Sequence, residues 1–136
     1  MNAMEKVAWT ELLVSVVTVA IVTCLYPWLG NGATSAFALL GLVALSAVFV
    51  RRRGAAIVVD ERDREIAKRA THIASGTAWM TLLIVLAATT LWSNYRNQHA
   101  VSTAFLNWLI WTQFAMCFGV RGLVAVLAYR RRPHAS

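Results

Sequence analysis

The chain has 136 residues, 59% hydrophobic and 14% charged, with a mean hydropathy of +0.59; a soluble domain of this length carries nearer one half apolar residues, so too little polar surface remains to cover a globule in water. The formal charge of +7 is clustered between apolar blocks, with Arg51, Arg52 and Arg53 after one and Arg130, Arg131 and Arg132 after another, which excludes a nucleic-acid-binding surface of domain size and points to anionic lipid headgroups. Two cysteines, Cys24 and Cys117, exclude a disulfide framework and a paired zinc site and read as small buried hydrophobes.

The first apolar stretch covers residues 8–29, enough helix at 1.5 Å per residue to cross a hydrocarbon layer of ~30 Å. Its run VSVVTVAIVT would favour a strand in water. In lipid every backbone donor must be satisfied within the segment, so helix is expected. The stretch is about twenty residues long, contains Glu11 and has no small-x-small cleavage site, so it is expected to be retained as a span. The turn Gly30-Asn31-Gly32 then predicts an antiparallel neighbour over 33–50, where Ala38, Gly41, Ala44 and Ala47 offer a small-residue packing surface.

The connection 51–71 is the most informative stretch. Asp60 is expected to cap a helix with Glu61 and Asp63 in its first turn and Lys68 and Arg69 further on, the order that complements the helix dipole. Asp60 with Arg64 and Glu65 with Arg69 are spaced for ion pairs worth about 0.2–0.5 kcal/mol each. The apolar positions Ile66, Ala67, Ala70, Ile73 and Ala74 predict that this helix continues unbroken into a third span. Glu61 and Glu65 share a helix face that Asp63 opposes, and the EF-hand spacing with its glycine is missing, so these carboxylates read as capping and pairing groups, with no metal expected. Val59-Asp60-Glu61-Arg62, then Ile66, Lys68-Arg69-Ala70 and Trp79 in the following span, resembles an uncharacterised family of small bacterial and archaeal membrane proteins. In that family a "DER" stretch introduces a later transmembrane helix. The resemblance covers mainly residues 59–80 together with the four-span layout. It implies an architecture, and no activity, substrate or cofactor.

The third and fourth spans are expected over 72–92 and 101–128, joined by a short loop 93–100 and followed by a basic tail 129–136. Asn107, Trp111, Phe114, Phe118 and Arg121 fall near one face of the fourth span, and Ala115, Gly119 and Gly122 form a small-residue surface. A charge inside a span costs about 2.5–3.5 kcal/mol at the helix centre, so Glu11 and Arg121 each require an account. Either Glu11 complements its own helix N-terminus while Arg121 snorkels to the headgroups, or the two meet as an intramembrane ion pair at one depth. Of the 13 basic residues, Arg96 alone falls outside the side shared by both termini and the middle loop, which predicts that side to be cytoplasmic. Tyr26, Trp28, Trp92 and Tyr95 mark the opposite interface, and Trp9 and Tyr129 the inner one.

These expectations combine into an all-α polytopic protein of one membrane domain, four transmembrane helices in an antiparallel bundle, in the plasma (inner) membrane of a prokaryote. His72, His99 and His134 are scattered, and no HExxH, GxSxG or glycine-rich phosphate motif occurs, so neither catalysis nor a cofactor is expected. The expected role is that of a non-enzymatic accessory or regulatory protein that self-associates, with anionic lipids and a cytosolic protein as partners and no nucleic acid. The alternative is a small transporter or channel using Glu11 and the polar face of the fourth span. A carboxylate in the first of four spans also occurs in small multidrug transporters, but those that insert in both orientations lack so strong a charge bias.

Overall fold

The computed structural model describes residues 3–43, 60–96 and 100–131, and all regular structure among them is helical. Helix α1 spans Ala3–Leu29, a 3₁₀ helix follows over Gly30–Gly41, α2 spans Glu61–Tyr95 and α3 spans Thr103–Arg131. Among the described residues, three helical stretches are long and apolar enough to cross a bilayer: Met4–Gly41, Glu61–Tyr95 and Thr103–Arg131. The fourth crossing expected over 33–50 is described only as far as residue 43, and the four-span count lies partly outside the described residues, as do Arg51, Arg52, Arg53 and Arg132.

Within the first stretch the chain reverses at Gly30, whose φ of +53° lies in the left-handed region that a side chain disfavours. The 3₁₀ helix then returns along α1, bringing Phe37 and Leu40 into one cluster with Val22 of α1 and Ala115 of α3. Its inward positions recur every third residue. Asn31, Thr34 and Phe37 each meet α3, and Leu40 and Val43 are buried further along the same column. Three residues per turn at about 2.0 Å rise keep such a column in line. A run of 12 residues is long for this geometry, which rarely exceeds one turn.

Helix α2 starts after Asp60 and runs unbroken for 35 residues, about 52 Å at 1.5 Å per residue. That exceeds the ~30 Å of a hydrocarbon layer. Helix α3 lies between α1 and α2. Ala8 of α1, Ala70 of α2 and Ala125, Val126 and Tyr129 of α3 form a core at one end, while Tyr26 of α1 reaches Trp108 of α3 at the other. Both neighbours are therefore antiparallel to α3.

Alanine and glycine dominate the contacts because lipid supplies no hydrophobic drive between helices, leaving close packing to hold them. Gly119 faces Ser15, and Gly122 lies directly against the α1 backbone at Ala8 and Leu12. Of the small residues expected to pack in the second stretch, Ala38 and Gly41 are exposed, and Phe37 and Leu40 make the contacts instead. Outward positions carry Leu13, Val16 and Val17 on α1 and Trp79, Met80, Leu83 and Ile84 on α2, a surface suited to lipid and costly in water.

Candidate functional site

Three polar constellations lie within this apolar frame. The first is built on the inward stripe of α1, where Glu11, Ser15 and Thr18 recur at helical spacing and are all buried. Arg121 of α3 reaches Glu11 with Nε 3.5 Å from Oε2, and the arginine side chain is 38% exposed. The structure thus brings the two intramembrane charges together, with the guanidinium partly open to the surface and the carboxylate enclosed. Beside this pair, Ser15 Oγ and Thr18 Oγ1 are buried with no hydrogen-bond partner among the described residues. Thr10 and Thr23 on the same helix instead donate to the carbonyls of Lys6 and Val19.

The second constellation sits at the end that gathers the N-termini of α1 and α2 and the C-terminus of α3. Tyr129 Oη donates to Asp63 Oδ1 at 2.9 Å, both residues buried. Burial, and next the bonded Asp63 carboxylate, raise the Tyr129 phenol well above its ordinary range. From sequence, Tyr129 is expected at the interface and Asp63 among the acids that complement the helix dipole. The inward direction of Asp63 is legible, since stepping N-terminally along the stripe Ala74, Ala70, Ile66 arrives at it; its partner is not. The same end carries Lys6, Arg62, Arg64, Lys68, Arg69, Arg130 and Arg131, while the opposite end carries Arg96. Arg130 lies over the Trp9 ring at 5.2 Å, and Arg96 over Trp92 at 5.0 Å, cation–π contacts that hold a guanidinium at an aromatic interface.

Asp60 stands at the N-cap of α2, but its side chain makes no cap bond. Its carbonyl accepts instead from the amides of Asp63 and Arg64 at 2.9 and 3.2 Å, which corrects the side-chain cap expected from sequence. Nor do Asp60 and Arg64, or Glu65 and Arg69, form an ion pair among the described residues. Exposed helical pairs gain too little to hold two long side chains in one geometry. Asp63 turns inward while Glu61 and Glu65 face out, so these carboxylates do not converge.

The third constellation closes the opposite end. Asn31 accepts from Trp108 Nε1 at 3.2 Å, Asn107 donates to Thr34 at 3.1 Å, and Trp111 donates to Asn107 at 3.1 Å. Tyr26 and Phe37 pack edge-on to Trp108, and Phe37 stacks on Trp111. The face expected on the fourth span therefore divides, with Asn107 and Trp111 engaged by the 3₁₀ helix and Phe114 exposed.

A family model described as "Predicted membrane protein (DUF2178)" matches residues 8–132. No curated protein and no solved structure matches the chain.

Proposed function

The chain belongs to that family of predicted membrane proteins, and on this footing we propose that it is a non-enzymatic accessory or regulatory protein of a prokaryotic plasma membrane. In this reading it crosses four times, keeps both termini and the "DER" loop in the cytoplasm, self-associates, and engages anionic headgroups and a cytosolic protein through its basic end. The observation that carries it is the sorting of charge. Glu11 is engaged by Arg121 and Asp63 by Tyr129 inside the bundle, while seven described basic residues collect at one end and Arg96 stands at the other. Such an asymmetry orients a membrane protein, and each basic residue near an anionic leaflet adds about 1 kcal/mol of attraction.

The transporter reading draws support from the buried hydroxyls of Ser15 and Thr18 beside Glu11, which lack partners among the described residues. Against it stands Arg121, which already neutralises the carboxylate that a coupling ion would need. Purified protein in sealed vesicles separates the two. The accessory reading expects proton and cation flux at the level of empty vesicles, unchanged by Glu11→Gln. Flux above that background, abolished by Glu11→Gln with helicity retained, would replace it with the transporter reading.

A further inference from the structure

At the basic end a cleft of about 370 Å³ opens between α2 and α3. Arg62, Glu65 and Arg69 of α2 and Arg131 of α3 line it, together with Ile73, Val124 and Leu127. Apart from Ile66, which stands between Glu65 and Arg69, the apolar residues lie deeper than the charged ones: Val124 is about 10 Å before Arg131 on α3, and Ile73 about 6 Å beyond Arg69 on α2, at 1.5 Å per residue. We propose that this cleft seats one anionic glycerophospholipid, its phosphodiester among the guanidiniums and an acyl chain along Ile73, Val124 and Leu127. The inference rests on the reading of this end as headgroup-facing and adds to it a defined site.

Charge and shape both favour that occupant. Arg69 of α2 and Arg131 of α3 face each other across the cleft with Glu65 as its one carboxylate, an arrangement whose charge a phosphodiester complements. Guanidinium forks match phosphate oxygens in pairs, and here they come from two helices, so one bound phosphate would bridge α2 and α3. Arg69 and Arg131 are exposed and reach a headgroup without rearrangement of the core. Glu65 offers an acceptor to a hydroxylated headgroup, whereas the trimethylammonium of a zwitterionic lipid would add positive charge to a cluster of arginines. A soluble anion would use only the charged rim. A phospholipid uses the rim and the apolar depth together, in the order in which its own headgroup and chain are joined.

The test is lipid titration of the full chain in mild detergent, read by native mass spectrometry, with phosphatidylglycerol, phosphatidylcholine and inorganic phosphate as probes. Wild type is expected to retain one phosphatidylglycerol at least about tenfold more tightly than phosphatidylcholine, with millimolar phosphate failing to displace it. Arg69→Gln/Arg131→Gln should weaken retention about tenfold. Lys6→Gln/Arg64→Gln removes the same charge from the same end outside the cleft, and should change retention less than about twofold. Leu127→Trp fills the apolar depth at an exposed position and should weaken retention with all arginines intact, which keeps the site testable should the double arginine variant lose helicity. Equal losses in the two double variants, or displacement by phosphate, would overturn the site while leaving the headgroup-facing end in place. No preference for phosphatidylglycerol in wild type would remove both.

Discussion

Gly122→Ala is expected to force α3 away from α1. A Cβ built on Gly122 falls 2.7 Å from the Leu12 amide nitrogen and 3.0 Å from both the Ala8 carbonyl oxygen and Leu12 Cα. Carbon normally rests about 3.5–4.0 Å from a non-bonded heavy atom. The obstacles are backbone atoms of a continuous helix, so no rotamer change relieves the clash and the axes must separate by roughly 1 Å, on the gap between these distances. Overpacking of this kind costs about 1–3 kcal/mol. Alanine's greater helix propensity returns up to about 1 kcal/mol, leaving a net loss of up to about 2 kcal/mol. Gly119→Ala is the matched control, since its Cβ meets Ser15 Cβ at 3.6 Å, an ordinary contact, and it should be neutral or slightly stabilising. The assay is unfolding of purified protein in mild detergent by added sodium dodecyl sulfate, followed by tryptophan fluorescence. Coincident midpoints for the two variants would refute the close approach of α1 and α3 at Gly122.

Charge reversal at Glu11 or Arg121 alone should lower the yield of folded protein, and reversal of both together should restore most of it. The loss is expected to be about 1–3 kcal/mol, below that of a fully buried pair because Arg121 is 38% exposed; an unrecovered double variant would count against the pairing. Tyr129→Phe removes a bond to a buried carboxylate and should destabilise by about 1–3 kcal/mol at neutral pH. The folded state holds the Tyr129 proton more tightly than the unfolded chain, so the phenol's contribution is complete below the ordinary tyrosine pKa of about 10 and is lost as pH rises from there toward the elevated folded value. Alkaline unfolding profiles should accordingly be steeper for wild type than for Tyr129→Phe, and parallel curves would dismiss the bond. Orientation is read by an impermeant maleimide: Tyr95→Cys should react in intact cells and Arg64→Cys only after lysis, and the reverse pattern would invert the topology.

Hydropathy and charge carry most of what was legible beforehand. The helical class, the start of α2 after Asp60 and the reversal at Gly30 follow from apolar run length, the placement of acids and the Gly-Asn-Gly turn, all local properties. The 3₁₀ geometry of Gly30–Gly41 was not legible, because GNGATSAFALLG suits either helix. The choice goes with rings contributed from far along the chain, Trp108 and Trp111. Depth could be counted at 1.5 Å per residue, so Glu11 and Arg121 could be set at one level. Their 3.5 Å approach depends on how each helix is rotated, which counting does not supply. Asp63 stands in the first turn on the face opposite Glu61 and Glu65, as expected, but its bond to Tyr129 depends on how α3 is brought alongside, which local rules do not supply.

The tightly wound returning 3₁₀ helix also constrains how this molecule tolerates changes in chain length. Phe37 stacks on Trp111 and Leu40 joins Ala115 in the same cluster, so a step of three on one rod is matched by a step of four on the other. Both steps advance about 6 Å, from rises of about 2.0 and 1.5 Å, and the two surfaces mesh like gears of different tooth count. Loss or gain of a single amino acid between Asn31 and Leu40 would rotate every later tooth by about 120° and aim it at lipid. Three at once would preserve the mesh, shifted by one notch.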